Sequence, residues 1–254
     1  MGTAIISKGV SGEKFATKRS SPVGRGLEAM FITNDSAVKC QRNYALSKAD
    51  GRIIGAPVVG AQFMSVVSGG LGGAVGSGAD TFVKDSVAMT VFVAVRCTNI
   101  PPISGIDPIP AASRPIIIGN YGAPRVGRGV AIYPTNGGHF GCLVGVGDDL
   151  ASSATVAAAA PGNIREWVLL SMTVNQGSLT LRNHTAGTSG TLAFTEKRLV
   201  SSGSIRIGAT EVTNSTGTAD IIFSQIHSVD LTTSERDLVV ADIRKYVAGK
   251  GITV

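Results

Sequence analysis

The sequence predicts an all-β protein, a two-sheet antiparallel sandwich closed by one short C-terminal helix. Short apolar runs with strand patterning recur along the chain. Its 33 glycines follow no G-X-Y period, which marks many tight turns between those runs. A capped helical pattern occurs once, near the C-terminus. At 254 residues the chain fits one large sandwich, and no composition shift marks a second domain. Apolar residues make up 43% and aromatics only 5%, so the core must be built from Val, Ile, Leu and Ala.

The elements follow in order. Residues 1–28 read as a basic, irregular N-terminal arm, and residues 29–254 as the sandwich. Short strands are expected at 27–32, at 53–59 and at 62–67. The second of these is interrupted by Pro57, which suits a sheet edge. Residues 69–78 form a glycine-dense loop. The strongest strand is 89–97, where Val91, Val93 and Val95 point one way and Phe92 and Ala94 the other. A strand apolar on both sides belongs in the middle of a packed sheet. Pro101, Pro102, Pro108 and Pro110 then make a loop that cannot pair, and 115–119 resumes the sheet.

Strands at 129–133 and 140–146 are joined by Pro134-Thr135-Asn136-Gly137-Gly138, the turn chemistry of a hairpin. The alanine-rich stretch 151–160, closed by Pro161-Gly162, is expected to be a loop. A second hairpin joins 167–174 to 178–182, with Leu179 and Leu181 alternating against Ser178, Thr180 and Arg182. Strands at 204–208 and 219–230 complete the series. Thr232-Thr233-Ser234-Glu235 is a capping box, followed by a stripe of Val239, Ile243, Tyr246 and Val247 at helical spacing. Gly249 and Gly251 end that helix.

The formal net charge is +6, and much of the excess lies in Lys8, Lys14, Lys18, Arg19 and Arg25 of the arm. These bases suit either an assembly tether or a solvated arm. Only Phe15 interleaves with them and no nucleic-acid motif follows, so nucleic acid is not an expected partner. Cys40, Cys97 and Cys142 form no CxxC pair and are expected to be buried free thiols, which suits a reducing compartment. No signal peptide is expected, since Ala4-Ile5-Ile6 is too short for an h-region. No apolar run reaches membrane-spanning length, so no membrane insertion is expected.

Three stretches carry a resemblance. Residues 89–96 form an aromatic-bearing central strand. Residues 167–182 give Trp, apolar strand, turn, apolar strand. Residues 219–254 end a strand in Asp230, continue Leu-Thr-Thr-Ser-Glu and close with a helix reaching Lys-Gly-Ile. Together they resemble the concanavalin A-like lectin/glucanase (laminin G-like) superfamily, and residues 43–67 resemble the first strands of its phage and prophage versions. The resemblance implies a jelly-roll β-sandwich and a virion protein, made in the host cytoplasm and carried on a tail or capsid surface. Its implied partners are other virion proteins, its own copies (a homo-oligomer, with a trimer fitting) and host-surface glycan.

The catalytic series of that superfamily's glucanases, E-x-D-x-x-E or similar, is missing. Asp148 and Asp149 are adjacent, and Glu211, Asp220 and Asp230 are isolated, so paired carboxylates for glycoside hydrolysis are not provided by that route. His139, His184 and His227 have no metal-ligand spacing. His139 and Cys142, three apart on a strand, fall on opposite faces. No cofactor is expected, although Asp148 and Asp149 are a candidate calcium pair beside the simpler reading of a solvated turn. The candidate sugar-binding residues are Tyr121, Arg125, Arg128, Tyr133 and His139, where aromatic faces and polar groups concentrate. The expected function is a non-enzymatic virion structural or attachment protein. A stand-alone carbohydrate-binding module is the alternative, and a polysaccharide hydrolase or lyase is the least supported reading.

Overall fold

The computed structural model describes residues 18–67, 76–101, 109–110, 113–122, 128–149, 154–209 and 217–254. In chain order the described elements begin with β1 (Leu27–Ile32), α1 (Ala37–Cys40), β2 (Arg52–Ile54), β3 (Val58–Val59), β4 (Met64–Val67) and β5 (Gly78–Lys84). They continue with β6 (Met89–Thr98), β7 (Ile118–Gly119), β8 (Val130–Pro134), β9 (Phe140–Val146), β10 (Ala154–Ala160) and β11 (Val168–Val174). The chain then forms β12 (Ser178–Asn183), β13 (Thr188–Ala193), β14 (Ser204–Ile207), β15 (Thr218–His227) and α2 (Thr233–Ala248).

Two antiparallel sheets result. One has eight strands in the order β13-β12-β11-β6-β15-β4-β3, with β1 also paired to β15. The other has seven strands in the order β10-β9-β8-β7-β14-β5-β2. Their facing sides make the main core, with Val91, Val93 and Val95 of β6 and Leu170 and Met172 of β11 packed toward Ile132 of β8 and Phe140 and Val144 of β9. At one corner the sheets touch backbone to backbone: a Cβ on Gly190 of β13 would lie 1.9 Å from the Ala159 carbonyl oxygen of β10.

The eight-stranded sheet is also covered on its other face. Phe92, Ala94, Ile222 and Phe223 pack there against Val239, Val240, Ile243 and Val247 of α2. This explains why β6 is apolar on both sides. The helix begins with the expected capping box: Thr232 Oγ1 accepts from Glu235 N, and Glu235 Oε2 accepts from Thr232 N at 2.8 Å. Val240 joins the buried stripe, and Tyr246 lies at its margin.

Residues 18–26 extend that cover. Val23 is buried in the same cluster. Arg19 Nη2 donates to both Asp242 oxygens at 2.9 Å, and its guanidinium lies 5.5 Å from the Phe223 ring centre and 5.0 Å from that of Tyr246. Arg25 pairs with Glu235 and holds that carboxyl down at about 2. The Arg25 carbonyl can only accept, so fully buried His227 bears its proton on Nδ1, while Nε2 accepts from Gln225 Nε2. The described bases of the expected arm are therefore packed on the sandwich, and β1 starts before residue 29.

Other expectations change in detail. Residues 53–59 do not form one interrupted strand. Pro57 has no N–H to donate, and the chain leaves one sheet after β2 and joins the edge of the other as β3. The alanine-rich stretch is not a loop where it is described, because Ala154–Ala160 pairs in register with all of β9. Val156 and Ala158 pack inward there while Thr155, Ala157 and Ala159 stay exposed, so packing overrides the low β propensity of Ala. Strands β5 and β13 and helix α1 were not expected. Most of the glycine-dense loop and residues 102–108 of the proline-rich loop lie outside the described residues.

Arg198 and Asp85 form an ion pair at 2.6 Å with both side chains fully buried, joining the end of β5 to the segment before β14. Ser201 N also donates to Asp85 Oδ2, and Arg198 Nη1 donates to the Gly145 carbonyl. Removing one charge strands the other in a low-dielectric interior. Arg198→Met is expected to cost about 3–5 kcal/mol in urea unfolding, and adding Asp85→Leu to recover most of it. An additive double variant would contradict this account.

Candidate functional site

Of the expected sugar-binding residues that are described, Tyr121 and Tyr133 come together, His139 lies at the β8–β9 turn and Arg128 toward the far end of β8. Tyr133 projects from β8 across Gly141 of β9, where a Cβ would meet its ring at 3.2 Å. Burial raises the Tyr133 phenol, with Cys142, Arg114 and Tyr121 close enough to act on it as well. Tyr121 and Tyr133 therefore share a patch. His139 stands exposed beyond the β8–β9 turn, and Cys142 is buried in the core on the other side of the strand. Arg128 lies before the opposite end of β8, a strand of 5 residues spanning roughly 16 Å. Arg125, Lys8 and Lys14 lie outside the described residues.

Asp148 and Asp149 are exposed in the turn after β9, and among the described residues no three His, Cys, Asp or Glu side chains cluster as metal ligands. Lys18 donates to the carbonyls of Asn43 and Lys48, which with the ion pairs of Arg19 and Arg25 commits the described arm bases to packing. The three cysteines are buried free thiols, and burial pushes Cys40 and Cys142 up to about 12 and Cys97 upward too.

A concavity lies elsewhere, where β1 of one sheet meets β5 of the other. It has a volume of about 420 Å³, and Glu28, Lys48, Phe82, Lys84, Ser86 and Ser228 line it. Its wall depends on a bulge in β5. Ser204 of β14 faces Lys84 and Arg206 faces Asp80, so β5 advances four residues while β14 advances two. The extra chain is held by short polar side chains. Asp80 Oδ1 accepts from Phe82 N at 3.0 Å and Ser204 Oγ at 2.6 Å. Thr81 Oγ1 accepts from Val83 N and donates to the Ile205 carbonyl at 2.6 Å.

These bonds set Phe82 at φ +57°, in the left-handed region that bulky residues avoid. Phe82 is 49% exposed at the mouth of the cleft, with the Arg52 guanidinium 5.6 Å from its ring centre. Such a conformation costs about 1–3 kcal/mol and persists only where the surroundings enforce it. Opposite, Glu28 Oε2 accepts from Lys48 Nζ at 2.6 Å and Oε1 from Ser228 Oγ at 2.9 Å. The Lys48 ammonium, above all, holds the Glu28 carboxyl below its usual range, so it presents an ionised acceptor. Sequence reading missed this site because Phe82 looks like a core residue. The available signal was Asp80 and Thr81, turn-forming residues placed inside a short apolar run.

A serine–histidine pair lies on the other sheet. Ser171 Oγ and His184 Nε2 share a hydrogen bond at 2.8 Å, but Ser171 is 2% exposed, and Arg244 of α2 donates to the His184 carbonyl. This pair is closed to a substrate.

By sequence, no family model and no curated protein matches the chain. Its fold has close counterparts among solved structures. One, described as the HCR/D F1240A mutant, aligns with a TM-score of 0.56 at 13% identity, over 90% of this chain and 52% of its own. The serotype D botulinum neurotoxin ligand-binding domain in complex with N-acetylneuraminic acid aligns at 0.55 and 12% identity, over 87% and 52%. The binding domain of botulinum neurotoxin DC in complex with rat synaptotagmin II aligns at 0.56 and 11%, over 86% and 52%. The chain shares a β-sandwich fold with them. It spans about half the length of those chains, and identities this low carry the fold alone.

Burial, with Arg182 and Arg244 nearby, lowers His184 from 6.5 to about 4, and burial lowers His227 too. A histidine depressed in the folded state binds fewer protons there than in the unfolded chain. Its contribution is present above about pH 6.5 and is lost as pH falls toward 4. His184→Gln, which keeps a hydrogen-bond partner for Ser171, is expected to lose less melting temperature than the parent between about pH 7 and pH 5. Parallel losses would contradict a neutral buried His184.

Proposed function

We propose that the chain is a non-catalytic, lectin-like module that holds a surface glycan in the cleft beside Phe82. The observation that carries this is the Phe82 ring, turned into the cleft mouth by a strained bulge that the Asp80, Thr81 and Ser204 side chains and the Ile205 carbonyl maintain. Were Phe82 only structural, the strain would have no return, because the residue is half exposed. A pyranose places its C–H face on an aromatic ring and its hydroxyls on fixed polar groups. The cleft provides that arrangement: Phe82 at the mouth, the Glu28 carboxylate as acceptor, and Lys48, Ser86 and Ser228 around it.

Hydrolysis lacks its equipment in this cleft. Glu28 is held ionised by Lys48 and Ser228, while the other lining carboxylate, Asp85, is fully buried against Arg198. Two free carboxyls about 5 Å apart, which retaining glycosidases need, are not offered by these residues. The setting we propose is the surface of a phage or prophage virion, on a tail or capsid, with other virion proteins and further copies of the chain as neighbours. Its support is the resemblance of residues 43–67, and Asn43, Lys48 and Ala49 of that stretch line the cleft. The sugar reading draws further support from the solved neighbour that holds N-acetylneuraminic acid.

A glycan array tests this with one sharp substitution. Asn tolerates the left-handed conformation, so Phe82→Asn should keep the parent's melting temperature while glycan affinity falls at least about tenfold. Tyr121→Ala should leave binding intact. Loss in Tyr121→Ala with retention in Phe82→Asn would move the site to the tyrosine patch, and silence of the parent across the array would refute glycan binding. Copurification with intact virions tests the setting separately.

A further inference from the structure

We infer that the cleft selects an acidic saccharide, its ring against Phe82 and its anionic group on Arg52 and Lys84. This inference rests on the glycan reading above. Beside Phe82 stand the cations Arg52, Lys48 and Lys84, with Glu28, Asp80 and Asp50 as the neighbouring carboxylates. Arg198 and Asp85 cancel each other in the interior.

Arg52 and Lys84 are available to a ligand because the neighbouring carboxylates are already engaged, Asp50 by Asn43 N. Glu28 is taken up by Lys48 and Ser228. Asp80 is 4% exposed, and its Oδ1 accepts from Phe82 N and Ser204 Oγ. Its Oδ2 lies 3.8 Å from Arg52 and 3.9 Å from Arg206, beyond hydrogen-bonding length. The Arg52 side chain is 65% exposed, and among the described residues its guanidinium donates no hydrogen bond. A planar fork of free N–H donors beside an exposed ring matches a carboxylate carried on a sugar ring. Lys84 Nζ spends one donor on the Ser202 carbonyl at 3.1 Å, leaving two for a second anion oxygen, and no described carboxylate pairs with it.

A neutral sugar would leave those donors to water, whereas a carboxylated one exchanges water for charge-assisted bonds at a site already anchored by stacking. The ring requirement separates this from general polyanion attraction, which needs charge alone.

Titration calorimetry on matched probes tests the inference: sialyllactose against lactose, galacturonate oligomers against galactose oligomers, and dextran sulfate as a polyanion without a carboxylate. At least one acidic probe is expected to bind about tenfold more tightly than its neutral partner, the worth of one charge-assisted hydrogen bond. Arg52→Gln and Lys84→Gln should erase that margin without weakening the neutral probe. Phe82→Asn should weaken both. Equal affinity within both pairs, or a margin that survives Arg52→Gln and Lys84→Gln, overturns the acidic preference and leaves glycan binding standing. Binding of dextran sulfate alone, indifferent to Phe82→Asn, also overturns it. No binding to any probe defeats the inference and the glycan reading together.

Discussion

The eight-stranded sheet needs a cover on each of its faces, and most of the remaining structure answers that need. Strands β6 and β15 are apolar on both sides, so neither face tolerates water. The seven-stranded sheet covers one face. The other is covered by α2, which is only 16 residues long and leaves the margins bare. Residues 18–26 fill a margin with Val23 and are held there by ionic and cation–π contacts, not by further apolar area. Arg19 lies against Phe223 and Tyr246 and grips Asp242, and Arg25 grips Glu235 beside the helix start. Positive charge near the N-terminus thus works as packing in this chain.

The seven-stranded sheet carries one interruption that exposes a side chain, in the pairing of β5 with β14. The bulge in β5 gives up ladder pairing with β14, and Asp80 and Thr81 replace it with side-chain bonds to the backbone. That exchange re-aims one side chain, Phe82. A bulge at an element's end re-aiming an exposed aromatic into a cleft is a feature held against its own strain, which is the physical mark of a site.

How far the sequence spoke depended on the range of the interaction. Strands β6, β11 and β12 and the capping box of α2 are legible because alternation and caps are local patterns. The alanine-rich strand β10 is not, because the five alanines among its seven residues do not favour extension until β9 offers its partners. Residues 53–59 show a Pro that breaks pairing but not that the two halves join different sheets. The arm bases were legible as charge and illegible as contacts, since Arg19 meets a carboxylate 223 residues away. The tyrosine patch had the right residue types, yet β8 holds Arg128 and Tyr133 at opposite ends. The Phe82 cleft had the converse problem: its parts, Glu28, Lys48, Phe82 and Ser228, come from four separate stretches with no motif among them.

Cover and cleft meet in one segment. The chain that seals the outer face with Arg19, Val23 and Arg25 runs directly into β1, and its next charged residue is Glu28, the acceptor in the cleft. On the facing strand, His227 receives the seal and Ser228, one residue on, bonds Glu28. Alternation along β15 forces this division: His227 points to the outer face, so its neighbour must leave toward the rim. The position of Glu28 is therefore set by how well the segment before it is seated, and the two ion pairs to α2 fix that seat. A sandwich that needed only stability could have covered the sheet with more apolar chain. Using charged, short-range contacts instead places a fixed carboxylate where the two sheets part, which is the one rim where β1 and the bulged β5 leave a concave opening.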